Sequence, residues 1–172
     1  WAALADAYAL IPEYRSGSIR DYIPLAHEAI DKALAINPES AQALTTSAYI
    51  KFAYDYDRNA AHAYFEKAIS IDPGYATAHQ WYGELLAVEG QFDAALDQAN
   101  LARQADPLSP IIPFTMGWFL LYSDRQDEAF AYINEALDID PHFATAIGNL
   151  VVLNIMAGRY DQARARCHQH AS

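Results

Sequence analysis

Apolar residues recur along this chain at intervals of three and four residues, which is the pattern of helices that bury one face. No segment shows the strict alternation that is typical of a half-buried strand. Residues 12–23 (PEYRSGSIRDYI) are rich in turn formers and are predicted to form an ordered or semi-ordered loop. Elsewhere the pattern predicts helices at 1–11, 24–36, 41–54, 58–71, 75–89, 92–105, 110–123, 126–139, 143–157 and 160–170. The chain is therefore predicted to be all-α.

Four of the predicted helices end near an Asn or Asp that is followed by proline. These pairs are Asn37-Pro38, Asp72-Pro73, Asp106-Pro107 and Asp140-Pro141. Proline cannot continue a helix and disfavours the helical conformation in the residue before it, so each pair predicts a helix end. The prolines are 35, 34 and 34 residues apart. This regular spacing predicts a repeat of about 34 residues, in which each copy is a pair of helices.

Residues at fixed positions in each copy resemble the tetratricopeptide repeat, whose signature is W-x2-L-G-x2-Y, then A-x3-F, then P. The first copy has Trp1, Leu4 and Tyr8, and the fifth reads Ile147-x2-Leu150-Val151-x2-Asn154 and stops before its proline. The second helices carry Ala26 and Ile30, Ala61 and Phe65, Ala95 and Ala99, Ala129 and Ile133, and Ala163 and Cys167. The resemblance implies an all-α, right-handed α-solenoid of antiparallel helix pairs. It covers residues 1–172 as a single array, with repeats at about 1–40 (including the insert at 12–23), 41–75, 76–109, 110–143 and 144–172.

Two glycines occupy the small-residue position of this signature in the first helices of the third and fourth copies. We expect Gly83 and Gly117 to face Ala95 and Ala129 of the second helices. Without a side chain at the glycine, the two helices of a pair can approach at the short end of the usual interaxial range.

A narrower resemblance concerns the segments 52–86 and 102–118, which are similar to the repeat arrays of certain bacterial regulators. In those proteins the array accompanies a winged-helix DNA-binding domain or a nucleotide-cyclase domain. The resemblance implies a regulatory or sensory array that belongs to a larger bacterial protein.

The composition argues against two other classes of protein. With 53% hydrophobic and 19% charged residues, the chain can bury a sizeable core, which argues against intrinsic disorder. The net charge is −11, and it divides almost evenly between the two halves of the chain. Because no basic stripe is available to neutralise phosphates, we do not expect direct binding of nucleic acid.

The sequence leaves the cellular compartment open. No apolar run approaches the roughly 18 residues that a membrane-spanning helix requires, so no membrane contact is expected of this segment. The single cysteine, Cys167, excludes an internal disulfide. The chain begins at Trp1 without a signal-peptide pattern and is interpreted as part of a longer protein. A cytoplasmic location is slightly favoured, and a periplasmic one follows if the parent protein spans a membrane.

Three short motifs mimic metal sites without completing them. Asp55-x-Asp57-x-Asn59, with Glu66 further on, has calcium-loop spacing, but Ala60 replaces the glycine of the sharp turn. We therefore interpret it as an inter-helix turn capped by Asn59. The other motifs are His27-Glu28 and Cys167-His168-x-His170. No catalytic motif or phosphate-binding loop is present, and we expect no enzyme activity, no cofactor and no metal.

The remaining candidate is a surface. In the tetratricopeptide family the first helix of each pair lines a concave groove where extended peptides bind. The groove residues that this implies are Tyr49, Phe52, Gln80, Glu84, Phe114, Trp118 and Leu121, and the fifth repeat adds Gly148, Val152 and Ile155. Large aromatic residues at such positions also commonly pack against neighbouring helices only, and that alternative stays open. The helix near 111–122 is apolar on nearly all sides, which favours either a covering segment or a docking patch.

The sequence thus favours a protein-interaction module that binds a peptide or protein segment. The partner is expected to be neutral, apolar or basic, because Asp6 and Glu84 add to an acidic background and no cation occupies a groove position. The alternative is a regulatory domain of a signalling protein that senses a ligand or holds an oligomer together. A spacer without a groove ligand comes third. Self-association through an open end or through the apolar groove is also predicted, since solenoids normally end in a polar capping helix.

Overall fold

A computed structural model of the chain describes residues 1–14 and 18–170, and these residues form ten helices and no strand. The helices are α1 Ala2–Tyr14, α2 Ile19–Ile36, α3 Ala41–Ala53, α4 Arg58–Ile71, α5 Ala76–Val88, α6 Phe92–Ala105, α7 Ile111–Tyr122, α8 Gln126–Ile139, α9 Ala144–Met156 and α10 Tyr160–His170. Consecutive helices pack together as antiparallel pairs, α1 with α2 and so on to α9 with α10. The prediction of an all-α fold built from helix pairs is confirmed.

The Asx-Pro pairs end helices for the reason that the sequence indicates. Asn37, Asp72 and Asp140 are the C-cap residues of α2, α4 and α8, and each has left the helical region, with φ between −137° and −131°. Their side-chain oxygens then accept the backbone N–H two residues later, at 3.0, 3.1 and 2.9 Å. The same residue therefore stops one helix and stabilises the turn toward the next.

The turns inside the helix pairs require left-handed backbone. Gly90 and Gly158 have φ of +78° and +70° there, and glycine adopts this conformation without steric cost. The corresponding turns in two other repeats place non-glycine residues in the same region, Tyr56 with φ +57° and Asp124 with φ +62°. The helix breaks predicted around these four residues are confirmed.

The loop prediction for 12–23 is wrong at both ends of the segment. Helix α1 continues through Pro12 to Tyr14, and α2 begins at Ile19 with Ser18 as its N-cap. Residues 15–17 lie outside the described part of the chain. Tertiary contacts extend α2, because Ile23 is buried in the core and the Tyr22 ring stacks on Tyr8 with 6.4 Å between ring centroids.

The helices group into two compact units, residues 1–105 and residues 106–172. The first unit holds α1–α6, and its core includes Ile50, Phe65 and Leu85, all fully buried. The second unit holds α7–α10, with Ile133 and Leu150 at the centre of its core. A single array over the whole chain stays a prediction.

Gly117 shows how closely the helices of a pair approach. A Cβ at this position would lie 2.5 Å from Ile133 Cγ1 and 3.2 Å from the Ala129 carbonyl oxygen, both on α8. The expected pairing of Gly117 with Ala129 is confirmed. Gly83 is also buried, as is Ala95, its expected partner on α6.

Candidate functional site

In the first unit the predicted groove residue Tyr49 belongs to the core. Its ring packs 4.5 Å from that of Trp81 and makes edge contacts with Phe52 and Tyr54, and only 5% of Tyr49 is exposed. Tyr54 in turn donates a hydrogen bond of 2.8 Å to the Ala9 carbonyl oxygen. Phe52 is half-buried at the edge of this aromatic cluster. At Tyr49 the structure therefore favours packing against neighbouring helices.

The polar groove positions of the first unit bond to one another. Gln80 is buried and donates to Glu84 Oε1 at 3.3 Å, and Glu84 is half-buried. On α1, the Asp6 carboxylate accepts hydrogen bonds from Gln42 Nε2 and Thr46 Oγ1 of α3. This surface is polar and acidic, and its side chains tie adjacent helices together.

The convex side of the first unit carries a second hydrogen-bonded group. His62 lies 3.1 Å from both the Tyr82 hydroxyl and the Glu89 carboxylate. The Tyr82 hydroxyl donates to Glu66 at 3.3 Å. Burial, and after it the Glu66 carboxylate, raises the pKa of the Tyr82 phenol, so the proton stays on this oxygen at neutral pH.

In the second unit Phe114 is also a core residue. It is buried, and its ring meets those of Trp118 and Phe143 edge-on at 6.2 and 5.4 Å. Trp118 and Leu121 are half-buried and pack against the same core. Of the three groove residues predicted on α7, Trp118 and Leu121 therefore reach the surface and Phe114 lies beneath them.

Six residues form an apolar ladder on the first helices of the second unit: Trp118, Leu121 and Tyr122 on α7, and Val152, Ile155 and Met156 on α9. Each α7 residue has its α9 equivalent 34 residues later, so the two sets occupy the same register in consecutive repeats. The Tyr122 ring packs 5.6 Å from that of Trp118. Exposure is 66% for Tyr122, 54% for Val152, 48% for Ile155 and 78% for Met156.

Sequence reasoning assigned part of this ladder to the groove and missed Tyr122 and Met156. Both follow directly after an i, i+4, i+7 stripe residue, and the 34-residue spacing between them is the signal that could have found them. Such an exposed apolar surface on consecutive helices is typical of an interaction site.

The calcium-like motif has structural roles. Asp57 caps α4 by accepting the Ala60 N–H at 3.1 Å, so the prediction of Asn59 as the cap is wrong. A helix that begins at Arg58 places Asn59 inside its first turn. Asp55 accepts from Lys51 at 2.8 Å. Among the described residues no three His, Cys, Asp or Glu side chains are grouped as metal ligands, and the His168 and His170 side chains lie outside that set.

Antiparallel helix pairs in register with a 34-residue repeat define a helical-repeat protein. The family model for the tetratricopeptide repeat matches residues 52–111 and 120–171, which is more than half of the chain. The chain belongs to the tetratricopeptide repeat family.

Solved structures with the same fold include two pilus-related proteins. PilF from Pseudomonas aeruginosa is 22% identical, with a TM-score of 0.74, over 95% of this chain and 73% of that one. PilW, a type IV pilus biogenesis factor, is 20% identical, with a TM-score of 0.75, over 98% of this chain and 74% of that one.

A third structure is YrrB, a repeat protein described as having an unusual peptide-binding site. It is 21% identical, with a TM-score of 0.62, over 76% of this chain and 67% of that one. At such identities these likenesses establish the fold alone. No curated protein matches the sequence. No helix in the described ranges is long and apolar enough to cross a bilayer.

Proposed function

We propose that this chain is a protein-interaction module and that the apolar ladder of its second unit binds a polypeptide segment of apolar side chains with neutral or basic flanks. The observation that carries the proposal is the exposure of Tyr122, Val152, Ile155 and Met156 in one register of consecutive first helices. Membership of a repeat family and a fold neighbour described as peptide-binding support it.

Burial of these side chains supplies the binding free energy. An exposed Val, Ile or Met gains about 1.5–3 kcal/mol when a partner covers it completely, and the ladder offers several at once. Trp118 and Tyr122 add large, rigid surfaces, which are enriched among the residues that dominate protein interfaces. Because Trp118 and Leu121 are already packed on the core, their positions are fixed before a partner arrives.

Charge selects the partner. Residues 106–172 contain eight acidic side chains and four arginines, within a chain of net charge −11. A segment with lysine or arginine beside its apolar residues is attracted to this unit, and a segment with acidic residues is repelled. The proposed ligand is therefore an amphipathic segment with leucine-like side chains on one face and lysine on the other.

The test measures the fluorescence polarisation of a labelled amphipathic peptide of leucine and lysine, about four helical turns long. We expect Ile155→Asp combined with Met156→Asp to weaken its binding by about tenfold or more. Both substitutions add negative charge, which by itself strengthens attraction to a basic peptide. A loss of affinity must therefore come from lost apolar contact.

The matched control is Ile36→Asp combined with Leu108→Asp, two exposed apolar residues outside the ladder. This variant carries the same charge change and should bind the peptide at least as well as the original chain. An equal loss in both double variants, or tight binding of a leucine–glutamate peptide, would refute the ladder as the docking site. Self-association through the ladder would instead appear as competition between peptide and a second copy of the chain.

For the parent protein, we propose that the array belongs to a larger bacterial regulatory protein. The segments 52–86 and 102–118 carry that resemblance. Reading the coding sequence upstream of Trp1 tests it. A winged-helix or cyclase domain there supports the proposal, and a pilus-assembly context would replace it.

A further inference from the structure

A cavity of about 510 Å³ lies among α8, α9 and α10 in the second unit. Its lining includes Phe130, Asn134, Leu150, Asn154, Arg159 and Arg166. The volume is within the range of sites that hold small organic ligands. These residues lie outside the apolar ladder, so the cavity is separate from the proposed docking surface.

The sequence explains why the cavity exists here. Asn154 occupies the signature position that Tyr8 holds in the first repeat and that buried leucines, Leu86 and Leu120, hold in the third and fourth. Asparagine is shorter than these residues and fills less of the space between helix pairs. At the equivalent positions 68 residues earlier, His62 and Tyr82 stand where Phe130 and Leu150 stand here, and they bond to each other.

Asn154 brings an unpaired acceptor to this site. The residue is 95% buried, and its Nδ2 donates to the Leu150 carbonyl oxygen at 2.7 Å. Its Oδ1 has no hydrogen-bond partner among the residues that the structure describes. Because a buried acceptor without a partner is costly, a ligand that places an N–H or O–H donor against this oxygen is favoured.

Two guanidinium groups supply positive charge in a chain that is otherwise strongly acidic. Arg166 Nη2 donates to Asn134 Oδ1 at 2.6 Å, and this bond uses one of its five N–H groups. Arg159 lies 4.6 Å over the Phe130 ring and 3.6 Å from the exposed Asp127 carboxylate. A guanidinium held by a neighbour presents its remaining donors in the geometry that suits a carboxylate.

We propose that this cavity binds a small organic carboxylate. Its carboxylate pairs with Arg166 and Arg159, an N–H donor on the same molecule meets Asn154 Oδ1, and its apolar part packs on Phe130. An N-acyl amino acid has all three features, and so does the free C-terminus of a polypeptide.

The test titrates the full chain with hippurate (N-benzoylglycine), which combines a carboxylate, an amide N–H and a phenyl ring, and follows the amide signals of α8–α10 by NMR. We expect saturable binding that weakens about tenfold in Arg166→Gln and in Asn154→Leu. Asn154→Leu restores the leucine of the other repeats and is expected to fold, so a loss of binding cannot be ascribed to unfolding.

Arg164→Gln is the matched control, because Arg164 is exposed on the same helix and does not line the cavity. It removes the same charge and should leave hippurate affinity within about twofold. The neutral amide of hippurate should bind at least about tenfold more weakly than hippurate. An absence of saturable binding, or equal losses in Arg164→Gln and Arg166→Gln, would overturn the proposal.

An acetylated tripeptide ending in glycine, with a free or an amidated C-terminus, distinguishes the two sources of the carboxylate. Tighter binding of the free-acid peptide than of hippurate identifies a polypeptide C-terminus, and the reverse identifies a free small molecule.

Discussion

Two glycines in first helices of the second unit face opposite environments. Gly117 touches the backbone of α8 and has no room for a methyl group, whereas a Cβ on Gly148 in α9 would meet nothing within 4 Å among the described atoms. Glycine is required at the first position and merely present at the second. The repeat register predicted the close approach at Gly117, and only the structure separates it from Gly148.

We predict that Gly117→Ala lowers the free energy of unfolding by about 1–3 kcal/mol, because Ile133 and the Ala129 carbonyl must move to admit the methyl group. Gly148→Ala is the control and should raise stability by about 0.5–1 kcal/mol, since alanine is the better helix former at an open position. Urea denaturation followed by circular dichroism measures both. Equal effects of the two substitutions would contradict the packing argument.

A second prediction concerns Asn154. Replacing it with leucine removes the unpaired Oδ1 and fills part of the cavity, so we expect stability to rise by about 1–3 kcal/mol. Asn149→Leu is a suitable comparison on the same helix, because Asn149 is only partly buried there. Thermal unfolding of the two variants checks the prediction, and a destabilised Asn154→Leu chain would mean that the cavity cannot admit the larger side chain.

At the scale of helices, the punctuation was read correctly from the sequence where its chemistry is local. Asn37, Asp72 and Asp140 leave the helical region because of the proline that follows each of them. The start of α4 was misplaced, since Asp57 and Asn59 are both good N-cap residues and two residues apart. The hydrogen bond to Ala60 identifies Asp57 as the cap.

This assignment predicts that Asp57→Ala destabilises the chain by about 0.5–2 kcal/mol through loss of the cap. Asn59→Ala, inside the first turn of α4, should be neutral or slightly stabilising. Hydrogen exchange at the Ala60 amide gives the local measurement and should accelerate in Asp57→Ala alone. If Asn59→Ala were the more damaging substitution, the cap would have to be reassigned.

The segment 12–23 shows where local reading fails. Pro12 and Pro24 predicted a loop, yet both lie inside helices, and Pro24 is on the exposed side of α2. Burial of Ile23 and stacking of Tyr22 on Tyr8 offset the lost backbone hydrogen bond. Contacts between helices overrode the propensity of the segment.

For the molecule as a whole, the exposed apolar ladder and the acidic surface act in opposite directions on association. Burial of the ladder favours pairing of two chains, and a net charge of −11 opposes it. Salt screens the charge and leaves the apolar term in place.

We therefore predict that the chain self-associates as protein and salt concentrations rise. Sedimentation velocity should show the average mass increasing with both, and the Ile155→Asp, Met156→Asp double variant should remain monomeric. The Ile36→Asp, Leu108→Asp variant reports the effect of charge alone. A strict monomer at high concentration in high salt would contradict this expectation.

The candidate surface could be predicted only in part. Register placed Tyr49, Gln80 and Phe114 on the same stripes as Trp118 and Leu121, because spacing along a helix reports direction and not depth. The first three proved to be buried, and the exposed residues of α9 proved more prominent than those chosen on α7. Depth depends on which side chains neighbouring helices contribute, and Trp81 covering Tyr49 is an example.

The sequence by itself determined the repeat, the family, the helix pairs and most helix ends, because these follow from periodic burial and from proline, glycine and Asx residues acting on their own neighbours. The tertiary structure alone decided which apolar residues stay exposed, how far α1 and α2 extend, and that Asn154 leaves a cavity beside two arginines. Those features arise where side chains from different helices meet, and the space left between them cannot be computed from any one helix.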